Sequence, residues 1–308
     1  MPSVWINGTF EPEDAAGVSL RDTGLLHGAG VFTTMRSFNG KAFRLAQHLS
    51  RLRASCEALF IPLQHKHDEL SAAVEEILRR NDLDAPGSTG RLRLTVTRGA
   101  AKQDPLHGLH LQPNAFLTAS LLEPYPAEYY QKGMTIVLLD DQKLNPYDLT
   151  AGHKTLNYLS RLAALRDATR RGAGEAFWFN VHNYLQSGSI SNVFVVKDDR
   201  LLTPPTPAEM QDATLRDAMP YPKSAVLPGV TRGAVIELAK ENGIDVSTTS
   251  IDVNGLLEAD EVFITNSAMG VMPVCRIERK AIGDDQPGPV TRRLADALAV
   301  AVDRETRS

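Results

Sequence analysis

Five short apolar segments beyond residue 133 constrain the fold most: "MTIVLLD", "EAFWFNV", "SNVFVVKD", "RLLTPP" and "EVFITN". Each reads as a strand, so a sheet must organise the C-terminal half. The N-terminal half opens in the same way. In "SVWINGTF" two short strands flank Asn7-Gly8, the dipeptide that most readily supplies the positive φ angles of a tight hairpin. "RLRLTVTRG" alternates as a half-buried strand does, and "HLQPNAFLTASLLEP" continues the sheet. Helices are fewer. From Phe43 to Phe60 the positions Leu45, Leu49, Leu52, Cys56 and Leu59 fall on one helical face, with Arg51 off the stripe. "DELSAAVEEILRRN" and "TRGAVIELAKENG" read as two more helices, the latter ending at Gly243. Strands outnumber long helices, so an α+β fold is expected.

A chain of 308 residues exceeds the size at which one core stops growing, so two domains are expected. "LEPYPAEYYQKG", Leu122 to Gly133, carries two prolines and no steady period, and is read as the interdomain linker. This gives an N-terminal α+β domain over 1–121 and a C-terminal α+β domain over 134–308. With 33 basic against 37 acidic side chains and no dense Lys/Arg window, a nucleic-acid partner is not expected. The opening "MPSVWINGTFEPEDAAG" lacks a basic patch followed by an apolar run, and no segment has the length of a membrane span. A cytoplasmic location is expected. Cys56 and Cys275 have no metal-ligand spacing and are read as two buried thiols in a reducing compartment.

Chemistry is suggested at a few places. "TAGHKTLNYLSRL" sets Lys154 beside His153 and ahead of a leucine-rich run that reads as a buried helix. An amine becomes a nucleophile toward aldehydes when burial or positive neighbours lower its pKa. In "LPGVTRGAVIELAK", Gly229 allows close backbone approach, and Val230 and Thr231 open a helix whose first N–H groups have no internal partners, a setting that suits a phosphate. "ITNSAMGVMP" offers the Ser267 hydroxyl and free amides at Ser267 and Ala268 in a turn after a strand. Arg51 could add a fixed positive charge. No Walker lysine and no G-x-G-x-x-G occur, which argues against a nucleotide phosphate.

Six blocks, taken in order, carry a resemblance: "RDTGLLHGAGVFTTMRSFNGKAFRLAQHLSRL", "RLRLTVTRG", "AGHKTLNYLSRLAAL", "SGSISNVFVVKDDRLLTPP", "LPGVTRGAVIELA" and "ADEVFITNSAMGVMPV". Together they resemble the class IV, or fold type IV, pyridoxal-phosphate aminotransferases. That family includes branched-chain and D-amino acid aminotransferases and aminodeoxychorismate lyase. The resemblance implies a two-domain fold, a pyridoxal 5'-phosphate cofactor and a homodimer. It makes Lys154 the lysine that holds the cofactor and later moves the proton. It assigns Arg51, Val230, Thr231, Ser267 and Ala268 to the cofactor phosphate, and Tyr158 to its phenolic oxygen. Phe32, Thr33, Arg36 and Arg93 fall in motifs that line the family's substrate pocket, with Lys102, His27 and His153 as further candidates near those motifs.

The sequence departs from the family at the partner of the pyridine nitrogen. The family places a glutamate five residues before the Asn of "SNVF", and counting back from Asn192 gives Ser187. No acidic residue occurs from Val181 to Val196. A hydroxyl leaves the nitrogen largely unprotonated and the ring a weaker electron sink. "VFTTMR", with Thr33 and Thr34 after Phe32, together with "LNPYDLTAGHKTLN" and "VMPVC", resembles aminodeoxychorismate lyase more than the branched-chain enzymes. The leading expectation is therefore a lyase that converts 4-amino-4-deoxychorismate to 4-aminobenzoate and pyruvate, a step of folate synthesis. An aminotransferase of branched-chain or D-amino acids is the second, and a degenerate, non-catalytic member the third.

Overall fold

The computed structural model describes residues 1–104 and 108–307, and gives the backbone alone for residues 101–104 and 108–110. Two compact units form. The first comprises residues 1–123, 153–157 and 301–308, the second residues 124–152 and 158–300.

In the first unit, β1 (Ser3–Ile6) and β2 (Thr9–Pro12) form the expected hairpin, with Asn7 at φ 48° and Gly8 at φ 97°. Next come α1 (Thr23–His27), β3 (Gly30–Phe38), β4 (Lys41–Ala42), α2 (Leu45–Ala58) and α3 (His67–Arg80). A long hairpin of β5 (Thr89–Asp104) and β6 (Gly108–Leu121) completes a six-stranded sheet in the order β2-β1-β6-β5-β3-β4. Side chains alternate along β3. Val31 and Met35 join Leu49, Leu52 and Cys56 of α2 and Leu70, Ile77 and Leu78 of α3 in one core. The apolar stripe read in the sequence is thus the face of α2 that the sheet buries.

In the second unit, α4 (Ala127–Lys132) precedes β7 (Met134–Leu144), α5 (Leu159–Arg170), β8 (Glu175–Asn180) and β9 (Leu185–Gly188). They are followed by β10 (Asn192–Lys197), β11 (Arg200–Thr203), α6 (Ala213–Asp217), α7 (Val230–Glu241) and β12 (Val246–Thr248). The last elements are α8 (Val253–Leu257), β13 (Glu261–Asn266), β14 (Gly270–Ile277), β15 (Lys280–Ala281) and α9 (Pro289–Thr306). A nine-stranded sheet runs β12-β11-β10-β13-β14-β7-β8-β9, with β15 on β14. All five segments that demanded a sheet are strands of it. No helix among the described residues is long and apolar enough to cross a membrane.

Two expectations change. The segment carrying Lys154, assigned by sequence to the C-terminal domain, groups with the first unit. The cause is backbone pairing: Phe32 N donates to Lys154 O at 2.9 Å, and Leu156 N donates to Gly30 O at 2.9 Å, which brackets a bridge between Val31 and Thr155. The leucine-rich run after Lys154 is a helix, α5, but not a buried one. Leu159 is 78% and Leu162 54% exposed, and the face that packs inward carries Ala164 and Ala168.

Candidate active site

The candidate residues divide between the two units. On the first, β3, β5, α2 and the Lys154 segment meet. Lys154 Nζ stands 4.6 Å from the centroid of the Phe32 ring, and the Arg93 guanidinium carbon lies 3.7 Å from the same centroid. Both cations are drawn to the ring's negative face. Arg93 faces Thr34 across the β3–β5 ladder and donates from Nε to Thr95 Oγ1 at 3.2 Å. The Arg36 guanidinium, on the same side of β3 as Phe32, packs 4.4 Å from the Phe38 ring.

Thr33 points to the other side. It was read as substrate-binding, but it is 0% exposed and turned toward α2. Its hydroxyl accepts from Arg51 Nη2 at 2.9 Å and meets His48 Nδ1 at 2.8 Å. Thr33 therefore aims Arg51. His48 escaped the sequence reading. Burial, then the charges of Arg51 and Lys154, hold its pKa well below the usual histidine value, so it is neutral. Its signal was the spacing in "QHLSRL", where His48 and Arg51, three apart, share a helical face. His153 Nδ1 meets Ser55 Oγ at 3.0 Å, His27 is exposed at the end of α1, and the side chain of Lys102 lies outside the described residues.

On the second unit the α7 start is built around Asn192. Gly229, the residue before α7, leaves room for it: a Cβ there would lie 2.0 Å from Asn192 Oδ1. Asn192 Nδ2 in turn donates to Leu227 O at 2.9 Å. Val230 and Thr231 follow as the first residues of the helix, where N–H groups have no helical acceptor. Arg232, next along, faces inward, pairing with Glu209 at 3.0 Å and donating to Pro204 O. In the turn after β13, Asn266 Oδ1 accepts from Ala268 N at 2.9 Å and Met269 N at 2.8 Å. The Ala268 amide is thus not the free donor expected, because the Asx turn takes it. Ser267 is partly exposed beside it.

Tyr158, the residue before α5, donates from its hydroxyl to Ser189 O at 3.3 Å. Ser187 lies on β9, paired with Trp178 of β8, and its Oγ accepts from Arg161 Nη1 at 3.4 Å. The same Nη1 donates to Gly188 O at 3.0 Å and Ser189 O at 3.1 Å. The guanidinium carbon sits 5.6 Å from the Trp178 ring, whose Nε1 donates to Ser189 Oγ at 3.0 Å. Glu175, on the adjoining strand, is buried and fully engaged. It accepts from Ala176 N, Ser189 N, Ile190 N and Ser191 Oγ at 2.9 to 3.1 Å, while burial raises its pKa. No carboxylate forms an ion pair with Arg161 among the described residues.

The class IV amino-transferase family profile matches residues 30–277, and the chain belongs to this family of enzymes. It is 32% identical over 293 residues to a putative branched-chain-amino-acid aminotransferase of Methanocaldococcus jannaschii, covering 95% of this chain and 94% of that one. It is 29% identical to the D-alanine aminotransferase of Bacillus licheniformis, covering 98% of each chain. Among solved structures, the branched-chain amino acid aminotransferase of Escherichia coli superposes with a TM-score of 0.86 at 28% identity, covering 100% of this chain and 96% of that one. The 4-amino-4-deoxychorismate lyase of Pseudomonas aeruginosa does so with a TM-score of 0.76 at 28% identity, covering 96% and 98%. The fold is the two-domain α+β fold type IV.

Proposed function

We propose that this protein is a pyridoxal 5'-phosphate enzyme acting on the amino group of a carboxylate-bearing small molecule, with Lys154 as its catalytic residue. The observation that carries the reading is a pair of groups on the first unit, Lys154 over the Phe32 ring and Arg51 held by Thr33 beside neutral His48, linked by the charges of Arg51 and Lys154 that both act on His48. A primary amine set over an aromatic face and a guanidinium aimed by a buried threonine are the donors that an aldehyde-bearing phosphate ester requires. The donor set therefore fits the cofactor. When bound, it supplies an aldehyde carbon open to amines and a ring that withdraws electrons from a neighbouring carbon. Lys154 Nζ would be the amine that holds this group and, once exchanged for the substrate amine, would carry the proton at the substrate's reacting carbon. Arg51 holds phosphate charge, with Val230, Thr231 and Ser267 as further donors in this reading. His48, being neutral, orients Thr33 without adding charge. Arg93 and Arg36 supply guanidinium groups to a substrate carboxylate.

Lyase chemistry is the reaction proposed first: release of pyruvate from 4-amino-4-deoxychorismate, leaving 4-aminobenzoate. Ser187 supports it, because a hydroxyl at the pyridine nitrogen gives weak support to the carbanion that reversible transamination demands, whereas formation of an aromatic product drives this release. Transamination of branched-chain or D-amino acids is the second reading, favoured by the names of the relatives at 32% and 29% identity. Borohydride treatment of the purified protein followed by peptide mass spectrometry tests the cofactor role. A pyridoxyl group on Lys154, absent from Lys154→Ala, is expected, and an unmodified Lys154 refutes it. Pyruvate release from aminodeoxychorismate separates the two reactions; release no greater than that of Lys154→Ala, with amino donors converting the cofactor to its amine form, favours transamination.

A further inference from the structure

Arg161 stands where a cation is electrostatically misplaced. It lies in the first turn of α5, the end of a helix that carries partial positive charge, and no acidic residue shares that turn. Yet its Nη1 is anchored by the Gly188 and Ser189 carbonyls at 3.0 and 3.1 Å, and it reaches the Ser187 hydroxyl at 3.4 Å. The Trp178 ring flanks it, and Trp178 is itself fixed by its bond to Ser189 Oγ. Glu175, the carboxylate of the same hairpin, gives its oxygens to three backbone amides and Ser191 and reaches Arg161 through its field alone, while burial lowers the arginine's pKa. The guanidinium is thus held in place by main-chain carbonyls, with no ion pair to it among the described residues.

The consequence falls on Ser187. A hydroxyl that accepts from a guanidinium must direct its own proton elsewhere, so it presents a donor rather than an acceptor. We propose that Arg161 is a positioning residue that turns the Ser187 hydroxyl into a donor toward the cofactor's pyridine nitrogen and sets a positive charge beside it, keeping that nitrogen unprotonated. This rests on the pyridoxal-phosphate reading above and adds a residue to it. Ser187 is then one half of a pair, and the pair as a whole reverses the polarity that a carboxylate would give. A carboxylate placed at position 187 meets the same cation, which competes for it with the ring nitrogen.

Titrating the bound cofactor labelled with 15N at its ring nitrogen, read by NMR against pH, tests the pair without reference to turnover. Ser187→Glu with Arg161 intact is expected to titrate about one pH unit or more below the Ser187→Glu/Arg161→Gln double variant, the size of shift a neighbouring charge produces. Ser187→Glu/Arg161→Lys, which keeps the charge, is expected to follow Ser187→Glu. Coincident titrations of Ser187→Glu and the double variant overturn the proposal. A wild-type protein that takes up no labelled cofactor overturns the pyridoxal-phosphate reading itself, and Arg161's role with it.

Discussion

The Thr33 hydroxyl and the His48 imidazole meet at 2.8 Å in the interior of the first unit, and neither could be placed there by motif alone. Because His48 remains neutral in the fold at pH values where the unfolded chain takes up a proton, stability falls as pH drops below the ordinary histidine value of 6.5. One such group contributes a slope of at most about 1.4 kcal/mol per pH unit. Urea unfolding at pH 7.5 and pH 5.5 is expected to show a smaller acid loss for His48→Gln than for wild type. Equal losses would place the acid sensitivity elsewhere.

Arg51 is aimed by Thr33 and, in the proposed reading, holds the cofactor's phosphate. Losing a charge-assisted hydrogen bond of about 1.5–3 kcal/mol weakens pyridoxal phosphate binding in Arg51→Ala by roughly ten- to a hundredfold. Pyridoxal, which lacks the phosphate, is expected to bind wild type and variant alike in equilibrium dialysis. Thr33→Val should reproduce part of the loss.

Gly229 makes room for Asn192, so a methyl group at 229 forces the loop before α7 to move. Gly229→Ala is expected to cost about 1–3 kcal/mol, as overpacking does. In the Gly229→Ala/Asn192→Ala double variant the clash with the Asn192 amide is relieved, and urea midpoints should show less destabilisation than the sum of the two singles.

Cys56 and Cys275 are both buried, and burial pushes their thiols up to about 12 and about 11. Thiolate is the reactive form, so the native protein is expected to leave both untouched by a disulfide reagent at pH 8. Unfolding in guanidinium should release both thiols, giving two equivalents of colour per chain.

The elements set by local chemistry were legible in the sequence. Asn7-Gly8 dictated a hairpin, the Leu45-to-Leu59 stripe dictated a helix, and the apolar runs after residue 133 dictated strands. Orientation was harder to read. The alternation of β3 separates Phe32 from Thr33, but only the tertiary packing of α2 decides which of the two faces inward. The exposed leucines of α5 mislead in the same way, since an apolar run shows that a face is greasy and not that this chain covers it. The Ala268 amide looked free because the Asx turn that occupies it depends on a side-chain oxygen. Arg161 carried a signal that went unused: a cation in a helix's first turn calls for a compensating partner, and the carbonyls of the β8–β9 hairpin supply it.

The pairing of residues 154–156 with β3 has an evolutionary corollary. Main-chain bonds from Phe32 N and Leu156 N fix the place of Lys154, with the Leu156 side chain packed close over Gly30 as a further constraint at the same join. Mutation away from this join is therefore free to redraw the surroundings of the amine, and with them the choice of substrate, while the amine stays in register. Such a scaffold separates the inheritance of a reactive group from the evolution of its specificity.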